Sequence, residues 1–298
     1  MIDMDLTTDE ITKRLGQHGV YFSLTEFIKE IRTTRSLEEI GEMWVDESHC
    51  DPLSFHADFI SLAPIVLWRR LASDVPCYEM IQEAVERGNE FIKADETHGE
   101  GLSQFQKAWD TFLSLKPTSV KEMTLTTASP FWGPHCFSEW ATTFEGELLK
   151  AWERGGANAR EVAYQRIKFC EEFFRLLPED RLSGRMLREA AESYWDLGDR
   201  ASAENLYRVT TIRCPDDVWN YLSWGDRYSR AEPVDFLRAE EIYLLGLRRV
   251  TERDATTLVD RLLNLYGAAE DAGCTHLLRR EIDVDNMVRQ NFRTVRPS

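Results

Sequence analysis

LREAAESYWDLGDRASAENLYRVTTIRCPDDVWNYLSWGDRYSRAEPVDFLRAEEIY, residues Leu187 to Tyr243, carries one pattern twice. Leu187, Ala190, Ala191 and Tyr194 precede Gly198, Ala203, Tyr207 and Pro215; Tyr221, Trp224, Gly225 and Tyr228 precede Ala239 and Tyr243. A separation of 34 positions takes Leu187 to Tyr221 and, again, Tyr194 to Tyr228. Recurrence at such a period marks a helix–turn–helix that cannot bury its apolar face alone and stacks on its neighbours. Leu187 and Tyr194 share one helix face, with small Ala190 and Ala191 between them where a second helix approaches closely. Gly198 ends the first helix, because it takes a left-handed turn without steric cost. Ala203 and Tyr207 stand one turn apart on the returning helix, Ala203 at the crossing and Tyr207 in the seam to the next pair, and Pro215 stops that helix.

Working outward, the chain reads as helices throughout. Helices are expected at about Cys136 to Glu153, Ala159 to Leu177, Ala255 to Ala272 and Cys274 to Asn291. Toward the N-terminus, Thr7 or Thr8 caps a helix to about Leu15, and Ser23 with Glu26 and Ser36 with Glu39 form two capping boxes. His56 to Leu71 is a buried helix that Pro64 should kink or divide. A further helix spans Tyr78 to Lys93, and Phe105, Trp109 and Pro117 repeat the spacing of Ala203, Tyr207 and Pro215. Residues 117–135, with Pro117, Pro130, Gly133 and Pro134, break the pattern. They divide an acidic helical region, residues 1–116, from a helical repeat region, residues 136–298. No strand-like alternation of useful length occurs, so the fold class is all-α: antiparallel hairpins stacked as a superhelix, with a helical N-terminal half.

Composition narrows the function. The chain has 298 residues, 43% hydrophobic and 30% charged, with a net charge of −16. Its longest apolar run, Ile60 to Trp68, is too short to span a bilayer. The acidic start, MIDMDLTTDE, is unlike a secretion signal, which points to the cytoplasm. Six scattered cysteines suit a reducing compartment and no disulfide framework. Residues 1–150 hold 26 acidic and 13 basic side chains, residues 151–298 hold 26 and 23, so the first half in particular repels nucleic acid. In the second half, 22 of the 23 basic residues are Arg. Arg makes planar bidentate contacts with carboxylates, which suits packed helix interfaces and peptide recognition alike.

The period and residue order of Leu187 to Tyr243 are those of the tetratricopeptide repeat. With KAWDTFLSL, the run Trp140 to Leu149 and NYLSWGDRYS, the chain resembles a group of uncharacterised bacterial tetratricopeptide-like proteins. Many of these carry a zinc-binding cysteine tail called SEC-C; this chain has no such tail. The resemblance implies a fold and an interaction protein, and no activity.

Helical geometry places a candidate peptide groove on the first helix of each pair: Arg185, Arg188, Glu192 and Trp195, then Trp219, Leu222, Asp226 and Arg230. Aromatic and Arg residues are what such a groove uses, and a carboxylate-bearing peptide end suits the Arg residues. The alternative is that these Arg residues pair with Glu192 and Asp226 inside the scaffold. The Lys and Asn set by which tetratricopeptide domains clamp chaperone C-termini is not matched. His49–Cys50 with His56, and His135–Cys136, lack zinc-site spacing. No GxSxG, GxxxxGK, HExxH or GxGxxG occurs. The expectation is a non-catalytic adaptor, without cofactor or metal, whose partner is another protein or peptide and not nucleic acid or membrane. An acidic inhibitor of a basic or nucleic-acid-binding partner is the alternative, and a metal-dependent enzyme using the His–Cys pairs the third.

Overall fold

Thr7 accepts the Glu10 backbone N–H on its hydroxyl while the Glu10 carboxylate accepts the Thr7 N–H at 2.7 Å, a reciprocal box that starts α1 (Thr8–Gln17). The computed structural model describes residues 6–94, 98–115, 134–178 and 180–273, and among these every regular element is a helix. After α1 come α2 (Leu24–Thr34), α3 (Leu37–Glu47), α4 (Phe55–Leu71), α5 (Tyr78–Lys93), α6 (His98–Leu115) and α7 (Pro134–Glu153). They are followed by α8 (Ala159–Leu176), α9 (Ser183–Asp196), α10 (Arg200–Arg213), α11 (Val218–Ser229), α12 (Phe236–Leu247) and α13 (Glu252–Asp271). Two compact units, residues 1–148 and 149–298, share the chain. The connection expected at 117–135 lies outside the described residues as far as residue 133, and Pro134 already begins α7. The helix expected at Cys274 to Asn291 is also outside them.

In the first unit, Ile11, Phe27, Ile31, Ile40, Trp44, Ile60 and Leu67 bury one core between α1 and α4. Two expectations are corrected here, the division of α4 at Pro64 and the cap at Ser23. The helix α4 runs unbroken across Pro64, because Ile60, Ala63, Val66 and Leu67 around it are buried. Burial of that face outweighs the lost backbone bond, which costs about 3 kcal/mol. Ser23 makes no cap hydrogen bond, and Glu26 pairs with Lys29 at 3.1 Å instead of reaching back to Ser23. Ser36 does cap α3, and Glu79 assists from α5: one carboxylate oxygen accepts from the Ser36 hydroxyl, Leu37 N and Glu38 N at 3.0, 2.7 and 3.0 Å. Farther on, α5 and α6 cross antiparallel at Gly88 and Gly101, where a Cβ on either would press on Phe105 or Ile92. Phe105, Phe112, Phe137 and Phe144 then interlock α6 with α7.

The second unit packs its helices in series from α8 to α13, and in addition α9 touches α11 and α11 touches α13. Gly198 has φ 85° after α9, as its position predicts. Ala203 and Tyr207 are fully buried, and Tyr207 stacks on Trp224 of the next pair, centroids 5.9 Å apart and 9° from parallel. Gly225 lets α12 approach so closely that Tyr243 lies against its Cα. Near the end of α11, three consecutive residues tie the unit together. Successive helical residues point about 100° apart, so each reaches a different neighbour. Asp226 accepts from Tyr243 of α12 at 2.5 Å and pairs with Arg261 of α13 at 3.0 Å. Arg227 pairs with Asp196 and, at 3.4 Å, with Glu192 of α9. Tyr228 donates its hydroxyl to Glu204 of α10 at 2.7 Å.

Candidate functional site

The groove was expected on α9 and α11, and the structure sorts the eight residues assigned to it. Arg188, Trp195 and Leu222 lie inside, 8%, 8% and 2% exposed. Arg188 donates to Asp217 at 3.0 Å and to Asn220 at 3.2 Å, and Asn220 in turn donates to the Thr210 and Cys214 carbonyls. Trp195 is closed off by the edge of Tyr228, centroids 4.9 Å apart, and by the Arg200 guanidinium 3.9 Å over its other face. Leu222 belongs to the core between pairs. A helix wheel reserves these positions for solvent only if the helix has one neighbour, whereas α11 touches four.

The other five reach solvent to different extents. Arg185 pairs with Glu189 at 3.7 Å, Glu192 and Asp226 are held in the ties described above, and Arg230 pairs with Asp226 at 2.8 Å. The alternative of intramolecular pairing therefore describes Arg185, Arg188 and Arg230, although two of the three partners, Glu189 and Asp217, differ from those expected. Trp219 stands apart. It is on the first turn of α11, which Asp217 caps through the Trp219 N–H at 3.0 Å, and its indole is 59% exposed.

Electrostatics fit a locked scaffold. Burial alone would lower the Arg227 pKa, but Tyr207, Asp196 and Glu192 raise it on balance. Burial would also raise Glu204, yet hydrogen bonds from Tyr228, Trp224 and Arg238 hold its carboxylate below the usual value. The Tyr228 phenol is pushed up to about 12 by burial and then by Glu204.

The first unit brings together one constellation that sequence spacing only half indicates. Cys50 Sγ lies 3.2 Å from His18 Nδ1, and the His18 ring is 4.7 Å from that of His56. Burial, then His56 and Arg14, lower the His18 pKa. His18, 32 residues before Cys50, carried no signal beyond being a histidine at a helix end. Among the described residues no group of three His, Cys, Asp or Glu side chains is arranged to hold a metal ion. The side chains of His135 and Cys136 lie outside the described residues. Among the described residues, no helix is long and apolar enough to cross a membrane. Comparison of the chain with protein-family models, with curated proteins and with solved structures finds no match.

Proposed function

We propose that residues 183–271 form a tetratricopeptide-like stack that docks a protein or peptide partner on the row α9, α11 and α13, as a binding adaptor with no catalytic step. The 34-residue recurrence and the extra contacts of α11 with α9 and α13 support the stack. Trp219 carries the docking role. Trp195, Tyr221, Trp224 and Tyr266 on the same row are 8% exposed or less, so a 59% exposed indole is an exception. Exposed Trp in a polar surround is the residue type that dominates binding energy when a partner covers it. Arg230 follows 11 residues later at the other end of α11, about 16 Å along the axis. A partner segment of about five extended residues spans that distance, with an apolar side chain on Trp219 and a carboxylate toward Arg230.

The test is affinity purification of the full chain from its native host, comparing wild type, Trp219→Ala and Ile212→Ala. Ile212 is 72% exposed on α10, outside the row. A partner lost with Trp219→Ala and kept with Ile212→Ala supports the proposal. A partner set unchanged by Trp219→Ala refutes it. A second reading places a basic partner on the first unit. It rests on Tyr21, Leu53 and Phe55, which are 86%, 96% and 61% exposed in a unit rich in Asp and Glu. Binding of that kind collapses between low and moderate salt and is indifferent to Trp219.

A further inference from the structure

A cavity of about 470 Å³ opens where the chain passes from α11 to α12, within the size range of small-molecule sites. Tyr228, Pro233, Val234 and Phe236 line it, together with Arg200 and Glu232. Two polar groups of its lining are already engaged. The Tyr228 hydroxyl donates to Glu204, and the Asp235 carboxylate caps α12 by accepting the Arg238 N–H at 3.0 Å.

Arg200 is different. Arg166, Arg188, Arg227 and Arg238 of this unit are each held by a carboxylate. The Arg200 side chain has no hydrogen bond or ion pair among the described residues; its backbone N–H donates to the Gly198 carbonyl at 3.0 Å, and its guanidinium stacks on Trp195. It is also the first residue of α10, where the helix dipole disfavours a cation and favours an anion. A flat guanidinium held on an indole keeps its N–H edge free for a bidentate carboxylate. Glu232, also on the lining, is exposed and has no partner among the described residues.

We propose that this cavity binds an aromatic or branched apolar amino-acid group through its carboxylate, with Arg200 as the anion receptor and the Tyr228, Pro233, Val234 and Phe236 walls receiving the side chain. The group is either a free amino acid, whose amine then meets Glu232, or the C-terminal residue of a peptide. The site adjoins the row at Tyr228 of α11 but does not include Trp219, and its test does not depend on docking there.

Saturation-transfer NMR on the full chain tests this with L-phenylalanine, N-acetyl-L-phenylalanine, phenethylamine, Ala-Ala-Phe and Ala-Ala-Phe amide. The free acids bind saturably, and phenethylamine and the peptide amide bind at least tenfold more weakly. Arg200→Ala weakens the acids tenfold or more at an unchanged thermal midpoint, and Arg200→Lys, which keeps the charge but not the planar fork, is intermediate. Phenylalanine tighter than Ala-Ala-Phe, with a loss in Glu232→Gln that N-acetylphenylalanine does not share, identifies the free amino acid. The reverse order identifies a peptide end. Amine or amide binding equal to acid, acid binding unchanged in Arg200→Ala, or no saturable binding of any probe up to about 10 mM overturns the proposal.

Discussion

Replacing Gly225 with Ala tests how closely α11 and α12 approach. A Cβ there would overlap Tyr243 Cε1 and stand 2.7 Å from Cδ1 and Cζ. Tyr243 cannot swing aside freely, since it is fully buried and its hydroxyl is held by Asp226 at 2.5 Å and lies 3.3 Å from Ser229 Oγ. Overpacking of this kind costs about 1–3 kcal/mol, and shifting the ring sacrifices a hydrogen bond worth about 1 kcal/mol. Against this, Ala is favoured over Gly inside a helix by about 1 kcal/mol. The net is a loss of about 1–3 kcal/mol, which for a unit of this size lowers the thermal midpoint by about 4–8 °C at the centre of the range. Gly267 on α13 is the control. It has nothing within 4 Å of a new Cβ, so Gly267→Ala shows the propensity effect alone and raises stability by about 0.5–1 kcal/mol. Differential scanning calorimetry of the two variants reads both. If Gly225→Ala is neutral or stabilising like Gly267→Ala, the helices do not cross where the structure puts them.

Two more outcomes follow from the first unit and from the contrast between units. Glu79→Ala removes the acceptor for three donors at the start of α3 and lowers stability by about 2 kcal/mol, with about half that loss in Glu79→Gln; urea unfolding at unchanged slope measures it. Glu204 on α10 and the pair Glu30 and Glu38 on α2 and α3 respond oppositely to acid. Glu204 is depressed despite its burial, so its contribution is present above the ordinary carboxylate value and fades as pH falls through its lowered pKa. Glu30 and Glu38 are raised by burial, so their penalty at neutral pH is relieved as pH falls through their elevated values. Amide exchange corrected for intrinsic rate should show α10–α12 losing protection below about pH 4.5 before α2 and α3 do. Loss in the reverse order contradicts the assignment.

Local chemistry was the legible part. The 3.6-residue pattern marks α5 at Tyr78–Lys93 to the residue, and Leu187, Ala190 and Ala191 identify the buried face of α9. A division at Pro64 was expected because its local penalty is visible in sequence and the burial that offsets it is not. Arg188 and Trp195 were placed on the open face for a related reason. Arg188 finds its partners 29 and 32 residues away, and Trp195 is covered by Tyr228 and Arg200. Glu79 caps a helix that begins 42 residues before it. None of these pairings follows from spacing along one helix. The unpaired state of Arg200 is hidden for the same reason, since only the folded chain shows which arginines lack a carboxylate.

Helical arrays commonly lengthen by duplicating a whole pair and splicing it between two others. The tripeptide Asp226–Arg227–Tyr228 resists that operation. Its bonds run back to α9 and α10 and forward to α12 and α13 at once. A copy inserted on either side of α11 would pull at least one of these partners out of reach, leaving Arg227, or Asp226, without its counter-charge. The stretch from Ser183 to Asp271 therefore behaves as a closed clause and not as a list open to further members. Relatives of this chain that differ in length should differ outside it.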